Sequence, residues 1–163
     1  VRERVADLVA DEKLREDVAL GAVKYAFAKY KLGGDINFDL EETVSLQGNS
    51  GPYLQYAHAR ARRILENVKV KFTTPEELFD EDRALVHKLG EYHEVMNVAV
   101  AHLEPHHICN YLFELAQEFN RYYEKNRVVG DKKEAHRASL VALYADILKA
   151  GLTVLGISSP YKL

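Results

Sequence analysis

Apolar residues recur every three or four positions along most of this chain, which is the spacing of one face of an α-helix. Four long stripes stand out, in residues 11–31, 52–68, 105–125 and 132–150. No segment of the sequence alternates apolar and polar residues for long enough to predict a β-sheet. The pattern therefore predicts an all-α fold, a helical bundle in which each stripe faces a shared core.

The predicted core positions are the apolar residues of each stripe. In the two N-terminal stripes they are Leu14, Val18, Ala22, Tyr25, Leu54, Ala57, Ala61 and Ile64. In the two C-terminal stripes they are Ile108, Leu112, Leu115, Phe119, Leu140, Leu143, Tyr144, Ile147 and Leu148. Between these pairs, one or two further helices are predicted to pack on the core through Leu85, Val86, Leu89, Tyr92, Val95, Met96, Ala99, Val100 and Leu103.

Capping and turn-forming residues predict where the helices begin and end. Asp39 caps a short helix over residues 40–46. Thr74 and the proline after it begin another short helix that reaches Phe79, and Gly90 divides the helical region that follows. Gly151 stands near the end of the last stripe and is well placed as the residue after its C-cap.

The helix that follows Gly48-Asn-Ser-Gly51 carries a second stripe beside its apolar face. Ser50 or Gly51 is the expected N-cap, and Pro52 suits the first turn because its missing N–H is not needed there. The second stripe consists of Tyr53, Tyr56, Arg60, Arg63 and Asn67. Aromatic rings beside guanidinium groups suit stacking on unpaired bases and pairing with phosphates. The pattern alone favours a plainer interpretation, in which the tyrosines cap the core edge and the arginines are solvated.

The residues of this segment resemble a family motif. Residues 46–60, LQGNSGPYLQYAHAR, closely resemble the arginyl-tRNA synthetase segment L-x-G-[ND]-[ST]-[GA]-P-Y-x-Q-Y-A-x-x-R over an ungapped stretch. Residues 21–25 and 36–39 resemble the family's stretch upstream of that segment. Residues 105–123 resemble the long helix of its anticodon-binding domain, and residues 137–156 resemble its last helix and closing turn. The resemblance therefore covers nearly the whole chain.

The resemblance implies a C-terminal fragment of an arginyl-tRNA synthetase. Residues 1–51 would be a helical connector at the end of the catalytic half, and residues 52–163 a helical bundle of the class I synthetase anticodon-binding type. The start, Val1 to Val5, has neither an initiator Met nor an apolar signal core, so we expect a piece of a longer protein. The expected partners are the tRNA(Arg) anticodon arm and the catalytic domain of the same chain.

The chemistry of the parent enzyme is implied by the resemblance and is not shown by these residues. The parent would ligate arginine to tRNA(Arg) using ATP and Mg. The family's two ATP-site signatures, HIGH-like and KMSKS-like, are missing from this sequence, as are a Walker A loop and a dinucleotide glycine fingerprint. We therefore expect no catalytic residue and no cofactor in the fragment itself.

Two tRNA-binding surfaces follow from the resemblance. The first combines a loop and the helix after it, with Gln47, Asn49, Tyr53, Tyr56, Arg60 and Arg63. The second lies on the long helix that starts at Pro105, with Asn120, Tyr123 and Arg127. The Arg127 position is aromatic in some relatives, and a guanidinium there can stack as well as pair with phosphate. Both surfaces must face one concave side if a single anticodon loop touches both.

The formal net charge of −3 hides an uneven distribution. Residues 52–72 carry five basic residues against Glu66 alone, a local net charge of +4, whereas residues 73–94 have a local net charge of −5. A basic patch of limited size fits an RNA partner better than indiscriminate binding to DNA. We expect no membrane association, because no apolar run reaches the roughly 18 residues that span a bilayer. The single Cys109 excludes an internal disulfide and fits a reducing, cytoplasmic setting.

Histidines around a proline raise a metal-site hypothesis. His102, His106 and His107 lie near Glu104, but the proline separates their helices and Cys109 completes no zinc pattern. We predict no metal site, with capping and surface roles for the histidines and a small apolar filler role for the cysteine.

The alternative function is a non-catalytic helical protein-interaction module. Tyrosine and arginine dominate protein–protein hot spots as well as RNA surfaces, so the stripe at Tyr53 and Arg60 fits either partner. RNA binding that falls steeply with salt would separate the two, because phosphate contacts release counterions.

We expect the isolated chain neither to activate arginine nor to charge tRNA, because both ATP-site signatures are missing. Arginine-dependent ATP–pyrophosphate exchange by the pure chain is the measurement, with a complete arginyl-tRNA synthetase assayed in parallel. Exchange above background would contradict the expectation.

Overall fold

A computed structural model describes residues 1–6, 9–71 and 77–163. Every regular element in these ranges is helical, which confirms the predicted all-α class. The helices are α1 (Arg2–Ala6), α2 (Glu12–Ala28), α3 (Leu40–Val44), α4 (Gly51–Glu66), α5 (Arg83–Gly90), α6 (Tyr92–His102), α7 (His106–Lys125) and α8 (Glu134–Val154). A turn of 3₁₀ helix, Asp80–Asp82, precedes α5. The short helix predicted to start at Thr74 begins outside the described residues.

Helix α4 lies at the centre of the bundle, between α2 and α8, and it also contacts α7. Helices α5 and α6 follow one another with only Glu91 between them, and both pack on α7. One large core joins α4 to α8 and includes Tyr25 from α2, while a smaller one of Val5, Val9, Val18, Ala19 and Val44 lies beneath α1 and α3. Because α4 is enclosed by three neighbours, only one of its faces stays open to solvent.

Close backbone packing joins α2 to α4. A β-carbon on Gly51 would lie 2.5 Å from the Gly21 carbonyl oxygen, and one on Gly21 would lie 2.8 Å from Gln55 Oε1. A side chain at Gly51 would therefore clash with the α2 backbone, whereas a side chain at Gly21 would displace the buried Gln55 amide. Ser50 caps α4, since its Oγ accepts a hydrogen bond from the Tyr53 backbone N–H at 3.1 Å.

The contact between α7 and α8 depends on an aromatic pair and a glycine. The Phe119 and Tyr144 rings stack with centroids 3.9 Å apart and planes 7° apart. Gly151 lies inside α8, where a β-carbon would meet Leu112 Cδ2 at 2.6 Å. The prediction that Gly151 follows the C-cap is therefore wrong, because this glycine admits a neighbouring side chain. The left-handed residue is Gly156, at φ 66°, and the Lys24 ammonium donates a hydrogen bond to its carbonyl.

Three predicted core residues lie at the surface. Leu143 is 47% exposed, Val100 67% and Leu103 76%. Helix α6 packs mainly against α7, so its second apolar edge has no neighbour among the described residues. On α8, Tyr144 and Leu148 face inward and leave Leu143 on the outer side. Helical spacing identifies which residues share a face, but the number of neighbouring helices decides how wide the buried face is.

A buried carboxylate joins the 3₁₀ turn to α7 and α8. Asp82 is fully buried and accepts hydrogen bonds from the Tyr122 hydroxyl at 3.0 Å and the Phe79 backbone N–H at 2.9 Å. His136 Nε2 lies 2.6 Å from Asp82 Oδ2, the oxygen that accepts from Phe79. Burial, reinforced by the Asp82 charge, raises the pKa of Tyr122 well above its usual value. These bonds satisfy a carboxylate that would otherwise be costly to bury.

Helix α6 ends with a residue whose conformation favours glycine. Leu103 has φ 56° and ψ 37°, and the Glu104 N–H donates to the Ala99 carbonyl at 2.9 Å. We expect Leu103→Gly to raise the free energy of unfolding by about 0.5–1 kcal/mol, because a left-handed conformation strains residues with a β-carbon. Urea unfolding is the measurement.

Ala101→Gly, two residues earlier and still helical, is the matched control. It should lower the free energy of unfolding by up to about 1 kcal/mol, because glycine weakens a helix at ordinary φ values. Equal destabilisation by both substitutions would show that the conformation of Leu103 is not strained.

Candidate nucleic-acid interface

The loop before α4 is ordered by its own serines. The Gln47 backbone N–H donates to Ser45 Oγ at 3.0 Å, and the Ser50 hydroxyl donates to the Ser45 carbonyl. Gly48 adopts φ 96°, a left-handed conformation that suits glycine. The loop therefore has a defined shape, with the Gln47 side chain exposed at its tip.

Asn49 serves the fold of this loop. Its Oδ1 accepts a hydrogen bond of 2.5 Å from the Tyr25 hydroxyl, which also lies 2.9 Å from the Cys109 carbonyl. Its own carbonyl lies 3.4 Å from Lys29 Nζ. Burial raises the pKa of Tyr25 well above its usual value, so this hydroxyl stays protonated and can donate. The structure therefore places the half-buried Asn49 side chain against α2.

The outward stripe of α4 is exposed along most of its length and half-buried at Tyr53. Tyr56 is 42% exposed, and Arg60 and Arg63 are exposed one and two turns further on. Tyr53 is half-buried: its ring meets Phe113 edge-on at 5.7 Å, and its hydroxyl accepts from Asn120 Nδ2 at 3.0 Å. Burial raises the pKa of Tyr53, against smaller opposing effects of Asn120 and Arg60.

Helices α4 and α7 bring their predicted residues together. Arg60 Nη1 lies 3.4 Å from Asn120 Oδ1, and Arg60 Cζ lies 5.1 Å from the centroid of the Tyr123 ring. The Tyr123 ring in turn stacks on Phe119 with centroids 6.0 Å apart. We call Tyr53, Arg60, Asn120 and Tyr123 the α4–α7 cluster. Its side chains join the two predicted surfaces into one.

Arg127 lies at the margin of this surface. Its Nε donates to the Val129 carbonyl at 2.9 Å, which turns the guanidinium toward the loop after α7. Val129 lines a shallow cleft together with Arg60, Arg63 and Tyr123. Arg127 thus supports the loop that forms one edge of the cleft.

A second cleft opens on the other side of Arg60 and Arg63. It has a volume of about 550 Å³ and is lined by Tyr56, Ala59 and Glu66 of α4 and by residues 161–163. This volume lies within the range of small-molecule sites. Three basic side chains, Arg60, Arg63 and Lys162, border it against one acid, and this charge attracts phosphate.

Sequence reasoning missed the segment 157–163. This segment lies against α4 although about a hundred positions separate the contacting residues along the chain. A signal was present in the spacing of Gln55, His58 and Arg62, which form a third, polar stripe on α4. Two of these side chains, Gln55 and His58, are fully buried.

Comparison with known proteins identifies the family. The model of the DALR anticodon binding domain matches residues 54–163, about two thirds of the chain. The chain belongs to the DALR anticodon binding domain family. The matched region contains nearly all of α4 and the whole of α5 to α8.

The relatives of this DALR chain are longer proteins. An arginine–tRNA ligase of Limosilactobacillus fermentum is 34% identical over 98% of this chain and 29% of its own length. One from Actinobacillus succinogenes is 35% identical over the whole chain and 30% of its own length. The solved arginyl-tRNA synthetase of Thermus thermophilus aligns with a TM-score of 0.91 at 29% identity, over 99% of this chain and 31% of that one. The DALR chain therefore spans about 30% of the length of the relatives it matches.

The histidine-rich start of α7 in the DALR domain forms a local polar cluster with Glu104 and Lys31. His107 Nε2 lies 2.9 Å from Glu104 Oε2, and Lys31 Nζ lies 3.9 Å from the same carboxylate. The His107 hydrogen bond lowers the pKa of Glu104. One ligand atom from each of Glu104, His106 and His107 lies within 4.8 Å of the others, yet a metal ion would meet the positive end of α7 there. That this chain has no metal site stays a prediction.

Among the described residues of the DALR chain, no helix is both long and apolar enough to cross a membrane.

Cys109 of the DALR chain is expected to resist thiol reagents. It is fully buried, and burial raises the pKa of its thiol to about 12, so very little thiolate forms at pH 8. Labelling with a chromogenic disulfide reagent should be slow in buffer and fast in denaturing urea. Labelling of the folded chain as fast as that of free cysteine would contradict the burial of this residue.

Proposed function

We propose that this chain is the anticodon-binding part of an arginine–tRNA ligase, and that it grips the anticodon arm of tRNA(Arg). Residues 52–163 form the binding bundle, and residues 1–51 form a helical connector to the catalytic domain of the same protein. The complete enzyme uses ATP and Mg to join arginine to its tRNA in the cytoplasm. The observation that carries the proposal is the convergence of α4 and α7 at the α4–α7 cluster, within a domain of the anticodon-binding family.

The surface is suited to single-stranded RNA. An anticodon loop offers unpaired bases and closely spaced phosphates, and duplex DNA does not expose base faces. Tyr56 presents an open aromatic face, and Arg60 and Arg63 present guanidinium groups beside it. In this proposal a base stacks on Tyr56 while the two arginines pair with phosphates.

Of the remaining candidate residues, some contact the RNA in this proposal and others hold the contacting side chains in place. Gln47 is exposed at the loop tip and is free to hydrogen-bond a base edge. Tyr53 and Asn120 bond each other and orient Arg60, and Asn49 fixes the loop against Tyr25. Tyr123 supports the Arg60 guanidinium from below, so that this charge is held in place before RNA binds.

Tyr56→Ala should weaken binding of an arginine anticodon stem-loop by about 1–3 kcal/mol, roughly 5- to 150-fold in Kd. The reason is the loss of a stacking face. Tyr56→Phe keeps that face and is the control, expected to bind nearly as well as the unchanged chain. Fluorescence anisotropy of a labelled stem-loop at fixed salt measures both.

Arg63→Ala should reduce the slope of log Kd against log salt concentration by about one phosphate contact, close to 0.7 for single-stranded RNA. Arg121→Ala is its matched control, because Arg121 is an exposed arginine on α7 that pairs with Glu118 of its own helix. Equal slopes for the two variants would exclude Arg63 from the interface. Weak, salt-independent RNA binding by the unchanged chain would favour a protein-interaction module instead.

A further inference from the structure

The segment 157–163 lies against α4 next to the face that carries Tyr56, Arg60 and Arg63. Ile157 is buried in the main core, and the residues after it lie beside α4 without regular secondary structure. Gln55 Nε2 donates to the Ser158 carbonyl at 3.0 Å and to Ser158 Oγ at 3.1 Å. The same amide lies 3.4 Å from the Asp17 carbonyl, so a fully buried glutamine joins α2, α4 and the segment.

His58 makes the second attachment. Its Nδ1 lies 3.0 Å from the Pro160 carbonyl, which can only accept, so Nδ1 carries the proton. Arg62 Nε lies 3.2 Å from His58 Nε2, which must therefore accept. These two contacts together fix His58 as the neutral tautomer protonated at Nδ1. A second proton would be placed directly against the Arg62 guanidinium.

Charged groups from α4, α8 and the segment surround this histidine. Arg62 Nη2 bonds Asp146 Oδ1 at 2.5 Å, which ties α4 to α8. Arg62 Cζ and Lys149 Nζ lie 5.5 and 5.7 Å from the centroid of the Tyr161 ring, and that ring meets His58 edge-on at 5.8 Å. Burial is the main cause that lowers the pKa of His58, and Arg62 and Lys149 act in the same direction, while the Pro160 hydrogen bond and Asp146 oppose them.

The attached segment forms one wall of the cleft beside Tyr56 and Arg63, through residues 161–163. Two neighbouring faces of α4 therefore have different roles. The face with Gln55, His58 and Arg62 holds the segment. The face with Tyr56, Arg60 and Arg63 lines the cleft that the segment closes on one side. The position of a cleft wall made by a segment without helical structure depends on the bonds that attach this segment.

We propose that Gln55 and His58 are positioning residues that hold the segment 157–163 as a wall of the RNA-binding cleft, and that protonation of His58 releases this wall. The proposal rests on the proposed function, because it assigns the segment a part in RNA binding. Neutral His58 makes both bonds, whereas doubly protonated His58 no longer accepts from Arg62 and repels its guanidinium. This repulsion displaces the imidazole that holds Pro160.

A single tryptophan reports on the segment independently of RNA. The chain contains no tryptophan, so Tyr161→Trp gives one fluorescence signal next to His58 and Arg62. In the otherwise unchanged chain we expect a high anisotropy at pH 7.5 that falls as the pH drops below about 6.5, the usual pKa of histidine. This titration leaves His58 in place, so its result does not depend on whether a variant at this buried position folds.

Substitutions of His58 complete the test. His58→Leu fills the space without hydrogen bonds, and we expect lower tryptophan anisotropy and stem-loop binding weakened about tenfold. His58→Asn places an amide donor near the Pro160 carbonyl and does not titrate, so it should restore binding at pH 7.5 and abolish the change with pH. Leu143→Ala, at an exposed position on α8, is the control that should change neither readout.

The outcomes separate the two proposals. A mobile tryptophan in His58→Leu with unchanged stem-loop affinity would overturn the positioning role and leave the proposed function intact. An immobile tryptophan in His58→Leu, or an unchanged pH profile in His58→Asn, would also overturn it. If the unchanged chain does not bind the stem-loop at all, this result contradicts the proposed function. It then also contradicts a role of the wall in RNA binding.

Discussion

The close approach of α2 and α4 is the constraint on which the rest of the structure depends. Gly51 lets the start of α4 approach the Gly21 carbonyl of α2 at a distance that a side chain would not permit, and Gly21 leaves room for the Gln55 amide. This contact fixes where α4 begins, and with it the Ser50 cap and the loop that Tyr25 holds through Asn49. Once the start of α4 is fixed, the direction of each of its faces is fixed as well, because a helix turns by a constant angle per residue.

Helix α4 uses its faces for three different purposes. One face is apolar and enters the main core through Leu54 and Ala61. A second is polar and buried, and it attaches the segment 157–163. The third is aromatic and basic and faces solvent. A helix that is enclosed by α2, α7 and α8 can place these faces within a few ångströms of one another without flexible loops, and rigid elements hold binding groups more accurately than loops do.

The predictions from sequence succeeded where the pattern was local and failed where a distant neighbour decided the outcome. The core stripe of α7 and the cap at Asp39 are present as the spacing indicates. Gly151 was assigned to a helix end because glycine suits left-handed residues, yet here it admits Leu112. Leu103 has the spacing of a core residue, but α6 lacks the second neighbour among the described residues that would cover it.

The sequence by itself determined the all-α class, the outward stripe of α4 and the family resemblance, because each depends on residues that are close together along the chain. Only the tertiary structure decided that Asn120 and Tyr123 meet Arg60, since that contact joins residues sixty or more positions apart. It also decided that Asn49 bonds Tyr25 of α2, and that Gln55 and His58 bond Ser158 and Pro160. Helical periodicity defines the angle at which a side chain leaves its own helix, and the partner at that angle is fixed by how the helices pack.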